Sequence, residues 1–169
     1  VIGLSGGVDS ATTLALAVSA LGSRNVTGLI MPFNRTESID LASTHAGTLG
    51  VVTKELSISP MVESFKGSSD SFSSRTSEGN LHSRIRMTLL YGEAFRSGSL
   101  VMGTSNKSEL LVGYYTKWGD GASDFLPMGD MYKSQVYRLA KKLGITKEII
   151  ERKPTAELWE GQTDEDELG

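Results

Sequence analysis

Apolar positions along this chain alternate between two spacings. Val1 to Leu4 is a short apolar run ended by glycine, the pattern of a buried parallel strand. Ala11, Leu14, Ala15, Val18 and Leu21 then recur at helical spacing, with Gly22 placed to cap the C-terminal end. Val26 to Met31 reads as a second strand. Ile39 to Leu49 is a looser helical stretch stopped by Gly50, and Val51 to Leu56 reads as a third strand. Strands alternating with helices predict a parallel sheet with helices packed on its faces.

The second half is less regular. Lys66 to Ser77, KGSSDSFSSRTS, holds six serines and little to bury, and reads as a flexible surface loop. Asn80 is a good N-cap for a following helix whose Leu81, Ile85 and Leu89 share one face. Leu100 to Met102 predicts a further strand running into GTSNKSE. Leu111 to Pro127 is too rich in glycine and aspartate for a regular element. Tyr132, Val136, Leu139, Ala140 and Leu143 outline another amphipathic helix, stopped by Gly144. No internal repeat divides the chain, so residues 1–169 read as one domain. The first residue is Val1, already inside an apolar run, and TDEDELG closes no element. The chain is therefore expected to lack pieces at both ends.

Composition narrows the function classes. With 169 residues, 38% hydrophobic and 22% charged, the chain is an ordinary globular protein. Its net charge of −3 argues against non-specific nucleic-acid binding, which needs a positive field. Without cysteine there is no disulfide, thiolate zinc site or cysteine nucleophile within the chain, which fits a cytoplasmic protein. No apolar run approaches the roughly 20 residues of a membrane span.

The candidate chemistry begins at SGGVDS, Ser5 to Ser10. The common phosphate loop, GxxxxGK[ST], carries a lysine for the terminal phosphates, and this stretch has none. Its glycines let backbone N–H groups approach phosphate oxygens, and the following helix adds its positive end. Ser5 and Ser10 offer hydroxyl donors. Asp9 would repel bare phosphate, so it implies magnesium between carboxylate and phosphate. The bland alternative is a strand-to-helix turn with an aspartate in the first helical turn.

SGGVDS resembles the pyrophosphate loop of the N-type ATP pyrophosphatases, which cleave ATP between its α and β phosphates. Four later segments, GNLHSRIRM, GTSNKSELLVGYYTKWGDGASD, MYKSQVYRLAKKLG and KPTAELWEGQTDEDELG, are similar to the NAD synthetases within that superfamily, in the family's order. The resemblance implies a doubly wound, Rossmann-like α/β sheet of the adenine nucleotide alpha hydrolase type, with helices on both faces. It implies that nicotinic acid adenine dinucleotide (deamido-NAD) is amidated to NAD with ammonia, through an acyl adenylate that releases pyrophosphate and then AMP.

By the same resemblance, ATP would be bound by Gly3, Leu4, Ser5, Gly6, Gly7, Val8, Asp9, Ser10, Thr104, Lys133 and Thr155. Asp9 and Glu109 would hold Mg2+, with Asp9 and Lys133 in catalytic roles. Arg84, Lys117 and Asp124 would bind deamido-NAD. A homodimer is implied, with no nucleic-acid or membrane partner.

Several positions keep a second reading. Glu109 alone could be a solvated charge, Thr104 a helix cap, and Lys117 and Asp124 part of a solvated glycine-rich loop. Arg86 is turned from Arg84 to a different helical face and reads as surface or dimer charge. His45 and His82 share no ligand spacing with acidic residues, and His82 stands where the family often has lysine. Trp118 and Trp159 read as packing residues. A purine-nucleotide amidating enzyme of the same superfamily, or a nucleotide-binding domain without turnover, are the alternative functions.

Overall fold

The computed structural model describes residues 1–152. Three parallel strands, β1 (Ile2–Gly3), β2 (Thr27–Ile30) and β3 (Val52–Glu55), lie in that order, in the register Ile2 to Gly28 and Thr27 to Val52. On the other edge of β1, Met102 makes a parallel bridge to Ile2 and a second one to Phe125. The strand expected over 100–102 is thus reduced to this bridge, tied by two backbone hydrogen bonds to Val1 on one side and by two to the 124–125 segment on the other. The chain starts in the middle of the sheet, builds outward to β3, and returns to the opposite edge. That reversal beside β1 opens a crevice at the strands' C-terminal ends.

Helices α1 (Val8–Leu21), α2 (Glu37–Thr48), α3 (Ser59–Ser68) and α4 (Arg75–Ser97) cover the sheet. Side chains alternate across a strand. Ile2, Leu4 and Ile30 therefore meet Leu14 and Ala17 of α1 and Ile39, Ala42 and Ala46 of α2 on one face. Leu29 and Met31 meet Ile58, the N-cap residue of α3, Val62 of α3, and Leu81 and Ile85 of α4 on the other. Both faces are covered, which is the doubly wound arrangement. Leu14 and Leu29 are wholly buried, each worth about 1.5–3 kcal/mol in transfer free energy. Truncating Leu29 to alanine would cost about 2–5 kcal/mol once the cavity is included.

Three short helices complete the described chain: α5 (Lys107–Val112), α6 (Lys133–Lys142) and α7 (Lys147–Ile150). Ala140, Ile145 and Ile149 pack on Val8 and Ala11. This third cluster holds the later part of α6 and the segment through α7 against the start of α1. Gly22 has φ 79° and its N–H closes α1 on the Val18 carbonyl, so the predicted cap is in place.

The serine-rich stretch departs from the loop reading. Helix α3 continues to Ser68, a 3-10 turn spans Asp70–Phe72, and α4 opens at Arg75. The serines act as local caps. Ser69 Oγ accepts from the N–H of Ser71 (3.1 Å), and Ser74 Oγ accepts from that of Ser77 (3.2 Å). Phe72 meets Phe65 edge-on at 5.9 Å. Asn80 consequently lies inside α4 and caps nothing; its Oδ1 accepts from Thr116 Oγ1 (2.8 Å). Among the described residues no helix is long and apolar enough to cross a membrane.

Candidate active site

The Ser5–Gly7 turn joins β1 to α1 at the crevice. Gly6 has φ 78°, and a Cβ there would lie 2.4 Å from the Ser38 carbonyl oxygen at the start of α2. No side chain fits that approach. The hydroxyls of Ser5 and Ser10 sit 3.2 Å apart. Ser5 Oγ accepts from the Gly7 N–H (3.3 Å), and Ser10 Oγ donates to the Gly7 carbonyl (3.0 Å). Both therefore shape the turn from within, besides facing the crevice.

A cavity of about 890 Å³ opens above the turn. Gly3, Leu4, Ser5, Gly7, Val8, Asp9, Ser10, Thr104, Glu109 and Lys133 line it, whereas Gly6 is turned against Ser38. Ile30 to Thr36, Ser83 and Arg86 form the facing wall.

At its polar end, three segments far apart in sequence meet. Lys133 Nζ lies 2.5 Å from Asp9 Oδ2 and 3.3 Å from Glu109 Oε1. Asn106 Nδ2 donates to Asp9 Oδ1 at 2.9 Å. Local structure explains the convergence. Asn106 caps α5: its Oδ1 accepts from the Glu109 N–H (3.2 Å), and Glu109 Oε2 accepts from the Asn106 N–H (3.1 Å), a reciprocal capping box. The start of α6 is tied to α5, since Lys133 N donates to Ser108 Oγ (3.1 Å) and Lys107 N to the Met131 carbonyl (2.8 Å). Burial, and then the charge of Asp9, raise the pKa of Glu109. Burial works against the charge on Lys133, but Asp9 and Glu109 outweigh it and raise its pKa, so the ammonium persists at neutral pH.

Among the described residues no group of three or more His, Asp or Glu side chains could hold a metal. Mg2+ usually takes only one or two carboxylates, completed by phosphate oxygens and water. Asp9 and Glu109 converge on one cation through one oxygen each, and that donor set fits.

The remaining expected residues lie elsewhere. Arg84 is exposed and its Nε donates to the Lys117 carbonyl at 3.3 Å. Lys117 Nζ sits 5.4 Å from the centre of the Trp118 ring. Asp124 accepts from the Val101 N–H (2.7 Å) and from Tyr91 Oη (3.4 Å). None of these three lines the cavity. Thr155 and Trp159 fall outside the described residues.

Two expectations are corrected. Trp118 is not packed: it is 68% exposed and takes φ 62°, since the tight glycine-rich turn around it leaves no core to enter. Arg86, expected at the surface, lines the cavity and donates from Nε to the Met31 carbonyl at 3.0 Å. It follows the inner face of α4 down to the end of β2.

The histidines take no metal-like geometry. His45 Nε2 lies 3.1 Å from the Ala11 carbonyl, and burial lowers its pKa. His82 is buried against Phe33, with ring centres 4.4 Å apart, and neither ring nitrogen has a hydrogen-bond partner. Burial, with Arg86 nearby, lowers its pKa to about 4. Sequence reading missed Asn106. The signal was available in Asn106-Lys-Ser-Glu109 ahead of Leu110 and Leu111, the spacing of a capping box.

Comparison with known proteins adds independent findings. The family model described as NAD synthase matches residues 1–169. The chain is 51% identical over its whole length to an NH(3)-dependent NAD(+) synthetase of Pyrococcus furiosus, and 52% identical to that of Thermococcus kodakarensis. It spans 66% of the length of each. Among solved structures it is similar to an NMN synthetase from Francisella tularensis, at 42% identity and a TM-score of 0.93, covering 99% of this chain and 71% of that one. It also resembles the NH3-dependent NAD synthetase of Campylobacter jejuni, at 41% identity and a TM-score of 0.85, covering 89% of this chain and 66% of that one.

Proposed function

The chain belongs to the NAD synthase family, and from that premise we propose that its crevice amidates deamido-NAD to NAD with ATP and ammonia. A carboxylate is a poor acyl donor because its leaving group would be oxide. Attack of the nicotinate carboxylate oxygen on the α-phosphorus of ATP expels pyrophosphate and leaves an acyl adenylate. Ammonia then adds to the acyl carbon, loses a proton and displaces AMP.

The observation that carries this reading is the meeting of Asp9, Glu109 and Lys133 at a glycine turn that opens a helix. In it the Ser5–Ser10 turn and the start of α1 receive the phosphates, with Thr104 beside them, and Lys133 balances charge as pyrophosphate departs. Asp9 and Glu109 are the residues that would hold Mg2+, which when bound neutralises phosphate oxygens. Arg84, Lys117 and Asp124 take part in acceptor binding in this proposal. Because they stand outside the cavity, the reading extends to a homodimer whose second copy completes that end. A cytoplasmic location belongs to the same proposal. The likeness to NH(3)-dependent NAD(+) synthetases supports ammonia as the nitrogen donor.

A second reading concerns the acceptor. The likeness to an NMN synthetase, at a TM-score of 0.93, favours a mononucleotide acid in place of the dinucleotide. One experiment separates the two. The intact protein is given ATP, Mg2+, ammonium and either nicotinic acid adenine dinucleotide or nicotinic acid mononucleotide, and every product is identified. NAD, AMP and pyrophosphate in equal amounts with the dinucleotide is the expected result. Faster formation of NMN from the mononucleotide selects the second reading, and no pyrophosphate with either acceptor overturns both.

A further inference from the structure

Asn106 is wholly buried and does not line the cavity, yet it touches both carboxylates that do. Its Oδ1 and backbone N–H complete the capping box with Glu109, which occupies Glu109 Oε2. Its Nδ2 reaches across 97 positions of sequence to Asp9 Oδ1. One oxygen of each carboxylate is therefore taken by Asn106. The other two, Asp9 Oδ2 and Glu109 Oε1, are the ones that face Lys133 Nζ.

Capping alone does not require this residue. Serine, threonine or aspartate would cap α5 about as well. Aspartate has no side-chain donor at neutral pH and would set a third carboxylate against Asp9. A serine or threonine hydroxyl is one bond shorter than the amide. Asparagine alone among good caps has an acceptor for its own helix and a donor that reaches further. Deleting the cap therefore tests one role and shortening the side chain tests the other.

We propose that Asn106 is a positioning residue that presents one oxygen of Asp9 and one of Glu109, as a pair, to a single cation. The proposal rests on the reading of the crevice as a magnesium–ATP site. Outer partners of this kind govern ion affinity through the ligands they orient, commonly by about ten- to hundredfold.

The test uses Asn106→Ser in the intact protein, which keeps the helix cap and removes the reach to Asp9. Manganese binding is read by electron paramagnetic resonance in the presence of a non-hydrolysable ATP analogue, beside thermal melting. The magnesium concentration for half-maximal pyrophosphate release is measured in parallel. Manganese affinity is expected to fall about ten- to hundredfold, the half-maximal magnesium concentration to rise to match, and melting to stay close to the parent's. Asn106→Asp has the same size and the same cap acceptor, and guards against a packing defect in the serine variant. It cannot donate to Asp9, so its half-maximal magnesium concentration also rises about tenfold or more, while turnover recovers at saturating magnesium. Parental manganese affinity in a folded Asn106→Ser protein would make the side chain a helix cap and nothing more. A parent protein that binds no manganese with the ATP analogue would instead overturn the magnesium reading, and this proposal with it.

Discussion

The two ends of the proposed site, the phosphate end inside the cavity and the acceptor end on the surface outside it, are built differently. At the phosphate end, side chains 97 and 124 positions apart in sequence share one cluster, and Asp9, Glu109 and Lys133 keep a quarter or less of their side-chain surface exposed. Each is anchored on the first turn of a helix whose start is tied to another. Around Arg84, Lys117 and Asp124 the side chains are exposed, and each is held by one or two contacts to backbone or a neighbouring ring. Charge stabilisation works when its groups are fixed before the reaction. Recognition tolerates groups that settle when the ligand arrives. The contrast predicts that variants at the first end lose chemistry, and that variants at the second lose only acceptor affinity.

Asp9→Asn attacks that contrast most directly. It removes the charge that Lys133 pairs with while keeping shape and the hydrogen bond from Asn106. Pyrophosphate release should fall about 10²–10³-fold or more, with the far-ultraviolet circular dichroism unchanged. Normal turnover would remove Asp9 from the chemistry and the phosphate end from its place in the comparison.

Lys133→Met sharpens the same end. Without the ammonium, two carboxylates face each other across a partly dry site. A fully buried pair broken in this way costs about 3–5 kcal/mol; with about a quarter of the lysine side chain exposed, about 1–3 kcal/mol is expected after solvent screening. The loss should appear in urea unfolding without divalent ions and shrink when magnesium is added. Equal stability of parent and variant in both buffers would mean that the cluster is not held by charge.

How much of this was legible in the sequence depends on the range of the interaction. The glycine turn, the 3.6-residue spacing of Leu14 and Val18, and the stops at Gly22 and Gly144 are local signals, and the helices are where they point. Ser69 and Ser74 carried a local signal too, but in a serine-rich run capping and disorder look alike until the helices on either side are seen. The bond from Asn106 to Asp9 is long-range, and nothing near either residue announces it. Arg86 and Arg84 show the limit of face arguments. Two residues apart on α4, they do part ways, but which of them enters the cavity is decided by Met31 at the end of β2.

His82 is buried on α4, two residues before Arg84 and against Phe33. Its unfolded pKa is near 6.5 and its folded value about 4, so the unfolded chain binds the proton first as the pH falls. Stability from this group is complete above about pH 6.5 and lost progressively down to about 4, at up to about 1.4 kcal/mol per pH unit. His45, also lowered by burial, adds to the same trend. Since neither nitrogen of His82 is hydrogen-bonded, His82→Leu should leave stability at pH 7 nearly unchanged or raised, and should flatten the acid limb of a urea-unfolding series. An unaltered acid limb would mean that another group controls it.

The smallest effect is expected where the contacts are loosest. Arg84 presents its guanidinium to solvent from the outer side of α4, with one hydrogen bond, to the Lys117 carbonyl. A charge-assisted contact to a bound acceptor is worth about 1.5–3 kcal/mol when shielded, and less at so exposed a site. Arg84→Ala should therefore raise KM for the acceptor about three- to tenfold, leaving kcat and KM for ATP unchanged, the mark of lost uniform binding. The acceptor used in the assay makes the result more informative. If Arg84 serves only the adenylate half of a dinucleotide, KM for the mononucleotide acid stays where it was. If it serves the pyridine half, both acceptors suffer alike. A matching rise in KM for ATP would mean that Arg84 reaches the phosphate end after all, and the two ends would have to be treated as one site.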